Sequence, residues 1–427
     1  MASRMSSHMG VNARDGISAV SRGETLAARG QRVGILGSLL LALAACGVSP
    51  PHPSGMPEAP PQAPGAPTPT PGESLLDSGL QTVPRARGPA RWVPVGWDAL
   101  PGLEQDRLAE LWPALRTSCS RPPPGWSEFC ARALLQPPAD HRAALVFLQT
   151  WLRPWQLQTQ TGQPVGLATG YFEPLLPASR QPSAAFPVPV HRPPADLAQR
   201  QPHWTREEME MLPAARAALQ GREIAWLQHP LDLLLLQIQG SGRLRVTEPD
   251  GRVRDIRVAF AGHNGHPYRS VGRWLVDRGE LRADGANWPA IRAWAARHPQ
   301  RTREMVWANP RVVYFREEAL PDPGIGPRGA QGVPLTPGRS VAVDPLAVPY
   351  GTVLWIDTTE PLSSQPLRRA VVAQDTGSAI TGAVRVDYFW GWDPEAEQQA
   401  GRMRQPLRAW ALWPRQEAGP RDAVALN

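Results

Sequence analysis

Residues Val371–Trp392 read VVAQDTGSAITGAVRVDYFWGW, and this stretch decides both the fold and the candidate site. Its first residues, Val371–Gln374, are apolar and β-branched enough to predict a strand. Thr376–Gly382 supplies turn residues, and the alternation in Val384–Phe389 predicts a second strand. We interpret the stretch as two strands joined by a glycine-containing loop.

Two carboxylates lie within this pair of strands. Asp375 follows the first strand, and alternation in the second strand puts Arg385 and Asp387 on one face, opposite two valines. Aromatic residues follow directly, at Tyr388, Trp390 and Trp392. A carboxylate beside aromatic rings suits a sugar-binding cleft, because the rings pack on the apolar faces of sugars.

The composition excludes several classes of protein. The 427 residues include 45 basic and 38 acidic side chains, which gives a net charge of +7. The chain contains no lysine, so all 45 basic residues are arginine. A chain without lysine has no Schiff-base lysine and no P-loop lysine. No nucleic-acid-binding motif accompanies the positive charge, so we expect no nucleic-acid partner. The length indicates about two domains with accessory segments.

The N-terminal region resembles a bacterial lipoprotein signal. Arg29 and Arg32 precede the apolar run Val33–Ala45, which is too short for a permanent transmembrane helix and ends in small residues before Cys46. Residues 1–45 are therefore expected to be a cleaved leader and Cys46 a lipidated anchor. The alternative is an ordinary signal peptide with an incidental cysteine.

A tether and a disulfide are also predicted. Residues 46–85 are rich in proline and alanine, a composition that cannot bury a core and favours extended chain. Cys119 and Cys130 are close in an exported chain, which favours a disulfide over two free thiols.

Hydrophobic periodicity and turn residues predict the remaining elements. Closely spaced short strands near the C-terminus favour a small barrel over repeated strand–helix–strand units. Predicted helices are Leu103–Leu111, Arg132–Trp155, Thr205–Leu219, Ser270–Gly279, Trp288–His298 and one capped by Asp393. Predicted strands are Gly166–Leu176 with its turn, Arg252–Phe260, Asn309–Arg316, Ser340–Val343, Val353–Asp357, Leu407–Trp413 and the strand-turn-strand Leu231–Val246.

Some polar residues have ordinary structural interpretations. Glu173 fits a solvated or arginine-paired turn carboxylate as well as a catalytic role. His263 and His266 have no third ligand of the usual kind nearby, so we expect no metal, and no cofactor. The segment Gln239–Ser241 is either a simple turn or a polar ligand-binding turn.

Six segments in order closely resemble the membrane-bound lytic murein transglycosylase A family; they are GYFEP, LLLLQIQGSGR, GHNGHPYRSVGRWL, NPRVVYF, VAVDPLAVPYG and VAQDTGSAITGAVRVDYFWG. The resemblance implies a mainly β fold with peripheral helices, in which a double-psi β-barrel is interrupted by a second β-rich domain and a groove lies between them. The implied boundaries are 86–177 for a helical segment and the first part of the barrel, 178–320 for the inserted domain and 321–427 for the rest of the barrel.

The resemblance also implies the chemistry. The family's three-aspartate motif matches Asp344, Asp375 and Asp387, and its catalytic acid falls on Asp387. Its groove residues match Tyr171, Gln239, Gly240, Ser241 and Asn264, and Trp390 is the aromatic candidate. The implied reaction is cleavage of the MurNAc–GlcNAc β-1,4 bond of peptidoglycan without water, by a protein anchored in the outer membrane.

Three alternatives remain open from the residues. A hydrolytic muramidase would use the same cleft with water as the attacking group. A glycan-binding lipoprotein would keep the groove without turnover. The single Asp-Thr-Gly at Asp375–Gly377 also fits an aspartic protease, which would need a homodimer to supply a second copy.

Overall fold

The computed structural model describes residues 83–416. The predicted leader, Cys46 and most of the predicted tether lie outside the described residues. Within them, strands dominate and helices lie at the periphery of two sheets, so the mainly β fold class is confirmed. No helix in the described part of the chain is both long enough and apolar enough to span a membrane.

The first sheet closes into a barrel. Six strands follow one another in the order β15, β12, β13, β11, β14 and β4, and β4 pairs again with β15. Strands β1 to β3 extend the sheet from β15. The members are β1 (Arg85–Arg87), β2 (Ala90–Pro94), β3 (Leu152–Thr159), β4 (Gly166–Tyr171), β11 (Ser340–Val343), β12 (Val353–Thr359), β13 (Pro366–Asp375), β14 (Arg385–Phe389) and β15 (Arg404–Pro414).

The second sheet is inserted between β4 and β11. It has six strands in the order β10, β9, β8, β5, β7 and β6. Its members are β5 (Leu175–Ser179), β6 (Val188–His191), β7 (Glu223–Leu227), β8 (Ser241–Thr247), β9 (Val253–His263) and β10 (Val313–Ala319). The chain passes from the barrel to the insert after β4 and returns to the barrel after β10. The segments after β4 and after β10 therefore connect the two sheets.

Ten α-helices pack around the two sheets in the described part of the chain. They are α1 (Trp112–Cys119), α2 (Ser127–Leu135), α3 (His141–Trp151), α4 (Arg206–Met211), α5 (Pro213–Leu219), α6 (Pro230–Gln239), α7 (Val271–Asp277), α8 (Trp288–Arg297), α9 (Pro299–Trp307) and α10 (Pro394–Ala400). The predicted cap of the last helix is confirmed, because Asp393 accepts a hydrogen bond from Ala396 N and Pro394 opens the helix.

Each sheet has its own apolar core. The barrel core contains tryptophans that are almost completely buried, namely Trp92, Trp155, Trp355 and Trp410. The core of the inserted sheet is aliphatic, with Phe315 as its buried aromatic residue. The predicted disulfide is confirmed between Cys119 and Cys130, which tie α1 to α2 beside the barrel core.

The strand-turn-strand prediction for Leu231–Val246 was wrong in its first half. Leu231–Gln239 belongs to helix α6, in which His229 Nδ1 accepts a hydrogen bond from Leu231 N and Pro230 takes the first position. The run of leucines is continuous because the helix is buried among three apolar clusters. Leucine is a strong helix former and is not β-branched, so the local signals favoured a helix.

Two other predicted helices are divided. Leu103–Leu111 forms two short 3-10 helices, Leu103–Gln105 and Leu108–Leu111. Thr205–Leu219 forms the two helices α4 and α5, because Leu212 is extended before Pro213.

Three strand boundaries also differ from the predictions. The predicted helix Arg132–Trp155 is two helices, and strand β3 begins at Leu152 and pairs with β2 and β15. The strand predicted for Asn309–Arg316 starts only at Val313. Strand β9 continues beyond the predicted end at Phe260 to His263. In each case pairing with a distant strand sets the boundary, which local propensity does not report.

Candidate functional site

A cavity of about 700 Å³ lies where the two sheets meet. Its barrel wall includes Tyr171 on β4 and Asp375 at the end of β13, followed by Thr376–Ser378. Its other wall includes the end of α6, the start of β8 and residues of β9 and β10. The cavity has the size and mixed polarity of a ligand site.

Asp375 and Asp387 flank the same residue of the barrel sheet. Ala342 on β11 is the register partner of Asp375 on β13 and of Asp387 on β14. Neighbouring strands lie about 4.8 Å apart, so the two aspartates are separated by two strand spacings, roughly 10 Å between their backbones. Ala342 is small, so a side chain reaching across it from either aspartate meets little obstruction.

Both oxygens of Asp375 accept hydrogen bonds from the protein. Ala330 N donates to Oδ1 and the Tyr171 hydroxyl donates to Oδ2, each over 2.9 Å. Burial raises the pKa of Asp375 to about 6, and the negative charge of Asp387 adds to the increase. The pKa of Tyr171 is raised well above its usual value by burial and then by the two carboxylates, so its hydroxyl stays a donor.

Asp387 has one partner and one open oxygen. Thr169 Oγ1 donates to Asp387 Oδ1 over 2.5 Å, and Arg385 Nη2 donates to the same threonine oxygen over 2.9 Å. No donor within residues 83–416 reaches Asp387 Oδ2, and the residue is half-buried. Burial raises the pKa of Asp387, although the Thr169 hydrogen bond and the positive charge of Arg385 oppose the increase.

Both carboxylate oxygens of Asp344 accept hydrogen bonds from backbone N–H groups. Leu346 N donates to its Oδ1 over 2.9 Å and Gly382 N donates to its Oδ2 over 2.8 Å. Gly382 has φ +114°, which favours glycine at this point of the loop between β13 and β14. Asp344 therefore holds that loop, and neither Asp344 nor Asp387 lines the cavity itself.

The Gln239–Ser241 segment does line the cavity. It is the end of α6 and the first residue of β8, and Gly240 has φ +80° at the helix C-terminus. Gln239 Oε1 accepts a hydrogen bond from Phe172 N over 3.0 Å, which joins the insert to the residue after β4. The predicted neighbours Tyr171, Gln239, Gly240 and Ser241 thus come together on one cavity.

Asn264 and Trp390 are placed elsewhere. Asn264 is fully buried, and its amide donates to Trp204 O and Pro310 O over 2.8 Å each. Trp390 Nε1 lies 3.3 Å from Met403 Sδ, and its ring packs so closely on Gly170 that a Cβ atom there would lie 2.6 Å from Nε1. Neither side chain lines the cavity.

Glu173 is completely buried and paired with two arginines of the inserted sheet. Arg243 Nε donates to Oε2 over 2.7 Å and Arg257 Nε donates to Oε1 over 2.6 Å. Arg257 also donates to Ile325 O over 2.5 Å, and Arg243 stacks on Trp392 at 4.1 Å. Glu173 lies on the segment between β4 and β5, and Ile325 lies on the segment between β10 and β11. The cluster therefore links the two segments that connect the sheets.

Sequence reasoning missed several residues of the site. Thr169 holds Asp387, Phe260 is an exposed aromatic residue on the cavity wall, and Arg311 lines the cavity beside His263. The alternation of β4 places Thr169 and Tyr171 on one face, which is the only sequence signal for Thr169. Within residues 83–416 no group of three or more His, Cys, Asp or Glu side chains could hold a metal ion.

Two family models match the chain. The MltA specific insert domain matches residues 167–316, which contain the second sheet except the last residues of β10. The 3D domain matches residues 339–413, which contain the three aspartates. The two models together cover most of the cavity lining, and the remaining lining residues, between Pro327 and Leu335, lie between the two matched ranges.

The chain is similar to curated and solved proteins of one kind. It is 31% identical to membrane-bound lytic murein transglycosylase A of Escherichia coli (strain K12) over 60% of this chain and 68% of the relative. A lytic transglycosylase, LtgG, of Burkholderia pseudomallei is 42% identical with a TM-score of 0.54, covering 78% of this chain and 98% of the other.

Two further solved structures have higher TM-scores. MltA from Neisseria gonorrhoeae is 30% identical, with a TM-score of 0.66 over 80% of this chain and 97% of the other. E. coli MltA with bound chitohexaose is 26% identical, with a TM-score of 0.60 over 80% of this chain and 97% of the other. The chain therefore belongs to the membrane-bound lytic murein transglycosylase A family of peptidoglycan lytic transglycosylases.

Proposed function

We propose that this chain cleaves the MurNAc–GlcNAc β-1,4 bond of peptidoglycan glycan strands with Asp387 as its single acid and base. One observation carries the assignment: of the three aspartates, only Asp387 keeps a carboxyl oxygen that no donor of the described residues reaches. Asp344 and Asp375 have both oxygens occupied, which suits positioning residues. A relative with chitohexaose bound supports a glycan strand as the ligand.

The first step needs a proton on Asp387. Its raised pKa favours the protonated form, and the open Oδ2 gives that proton to the oxygen of the leaving GlcNAc while positive charge develops at the anomeric carbon. Thr169 fixes the other oxygen, so the carboxyl group does not rotate away. The nearby carboxylate of Asp375 favours the developing positive charge.

The second step regenerates the acid. The Asp387 carboxylate accepts the proton of the muramoyl 6-hydroxyl as that oxygen bonds to the anomeric carbon, giving a 1,6-anhydro end. No second carboxylate nucleophile and no water are needed. Phe260, exposed on the opposite wall, supplies an apolar face on which a sugar ring packs.

The test is product analysis on purified sacculi by mass spectrometry. The wild-type chain is expected to release anhydro-muropeptides, whereas Asp387→Asn lowers the rate at least about 1000-fold because proton transfer is lost. Asp255→Asn, at an exposed carboxylate of the inserted sheet, is the matched control and keeps the acid. Products heavier by one water would instead establish the hydrolytic muramidase, and binding without release would establish the glycan-binding alternative. Normal turnover by Asp387→Asn would overturn the assignment.

The same proposal includes a lipid anchor on Cys46 and a place in the outer membrane. It rests on the sequence Leu43–Gly47, which resembles a lipoprotein signal, and on the membrane-bound name of the relatives. Cys46→Ala in the full chain is expected to move the protein from the outer-membrane fraction to the soluble fraction while activity on sacculi persists. A variant that stays in the membrane fraction would contradict the anchor.

A further inference from the structure

The cavity is more positively charged than a sugar chain needs. Its charged lining residues are Arg311, Arg316, Arg328 and Asp375, and burial raises the pKa of the one carboxyl group to about 6. The rings and glycosidic bonds of a GlcNAc–MurNAc strand carry no charge. An excess of guanidinium groups therefore indicates that the ligand brings anions with it.

Two of the three arginines have no carboxylate partner in the described part of the chain. Arg316 pairs with Glu318 over 2.8 Å, so its charge is already compensated. Arg311 Nη1 donates to His266 O over 2.9 Å, and Arg328 Nη1 donates to Gly332 O over 3.1 Å. Each of these two arginines keeps donors for a ligand, since a guanidinium has five N–H groups in a planar fork.

The environment of Arg311 also favours an anionic ligand. It is half-buried, and burial lowers its pKa, so its charge has lost part of its hydration without gaining a carboxylate. The neighbouring His263 has a lowered pKa and is neutral at pH 7, so it does not repel an anion. A carboxylate at this place would restore the lost stabilisation through a bidentate hydrogen bond.

The two arginines come from different parts of the chain that line the cavity. Arg311 precedes β10 in the inserted domain. Arg328 lies on the segment that returns to the barrel, two residues before Ala330, whose N–H holds Asp375. The two arginines therefore bring the inserted domain and the segment that leads into the barrel to the same cavity.

We propose that Arg311 and Arg328 form a carboxylate-binding site for the acidic arm that muramoyl residues carry. The inference rests on the function proposed above. The shared chemistry is a carboxylate, which comes either from the lactyl group of a peptide-free muramoyl residue or from the stem peptide attached to it. The site selects muramoyl-containing strands over neutral GlcNAc polymers and fixes which sugar lies next to the acid.

Binding measurements with three ligands test the site. The ligands are chitohexaose, peptide-free GlcNAc–MurNAc strands and strands with stem peptides, each titrated into full-length protein carrying Asp387→Asn to prevent cleavage. That background is expected to bind both acidic ligands more tightly than chitohexaose, with the difference shrinking at high salt. Arg311→Gln and Arg328→Gln are each expected to weaken acidic ligands about tenfold and chitohexaose less than twofold.

Matched variants keep the test sharp. Arg297→Gln removes an exposed arginine that also bonds only a backbone carbonyl, on α8, and is expected to change nothing. Arg311→Lys and Arg328→Lys keep the charge without the fork and are expected to fall between wild type and glutamine. Thermal unfolding of each variant identifies any loss of folding, in which case the lysine variant decides.

The outcomes separate the two acidic ligands and the two proposals. Weaker binding of peptide-free strands alone assigns the lactyl carboxylate, and weaker binding of peptide-bearing strands alone assigns the stem peptide. Weaker binding of both assigns a site that accepts a carboxylate from either source. Equal losses on chitohexaose, or no loss on any ligand, would overturn the site. Absence of anhydro ends from wild-type digests would instead overturn the proposed function and leave the binding preference intact.

Discussion

Thr169 Oγ1 donates a hydrogen bond to Asp387 Oδ1 over 2.5 Å although the two residues are 218 positions apart in the sequence. They are register partners on the parallel strands β4 and β14. The inserted domain lies between these two strands in the sequence, and the strands become neighbours because the barrel closes. Thr169 is therefore the residue that orients the proposed acid.

Removing this hydroxyl tests its positioning role. Thr169→Val keeps the shape of the side chain and is expected to lower kcat about tenfold with little change in KM, because a hydrogen bond to an ionisable group contributes about 1.5–3 kcal/mol. Thr169→Ser restores the donor and most of the rate. A purely structural role would instead lower the unfolding midpoint and leave the kcat of the folded fraction unchanged.

The groups around Asp387 predict shifts in the pH profile. Arg385 lowers the pKa of Asp387, so Arg385→Gln should let activity persist to higher pH. The Thr169 hydrogen bond also lowers the pKa of Asp387, so Thr169→Val should move the basic limb in the same direction. The measurement is kcat/KM against pH, and a shift to lower pH in either variant would contradict this electrostatic account.

Stability should also depend on the proton of Asp375. Its pKa is about 6 in the fold and 3.8 as its ordinary value. The unfolded chain therefore releases this proton first, and stability is lost as the pH rises from about 4 to about 6. The difference in unfolding free energy across this window is on the order of 3 kcal/mol. Denaturant titrations should show this slope in wild type and a smaller one in Asp375→Asn; equal slopes would exclude Asp375 as the source.

The Glu173 cluster should be costly to break. Glu173→Gln leaves two buried arginines without a compensating carboxylate, and we expect about 3–5 kcal/mol lower stability. Asp255→Asn is the matched control, since it breaks an exposed arginine pair and should cost less than about 1 kcal/mol. Chemical denaturation measures both, and equal effects would mean that the cluster does not join the sheets.

Local signals predicted some elements well. The strand pair around the glycine-containing loop and the helix capped by Asp393 have the predicted form, because alternation, a capping carboxylate and proline act within a few residues. The strand predicted for the leucine run before Gly240 is a helix in the structure. A continuous apolar segment has no hydrophobic periodicity that distinguishes a buried strand from a buried helix. Strand β3 was not predicted, because its pairing partners β2 and β15 are far away in the sequence.

The sequence by itself determined the family, the mainly β architecture and the three aspartates as candidates, since these depend on residue types in a fixed order. Only the tertiary structure decided how the aspartates differ. Each accepts a hydrogen bond from a distant part of the chain; the donors are Gly382 N for Asp344, Ala330 N for Asp375 and Thr169 Oγ1 for Asp387, at separations of 38, 45 and 218 residues. Two of these donors are backbone N–H groups, which every non-proline residue carries, so no pattern of side chains reveals which carboxyl oxygen they leave open.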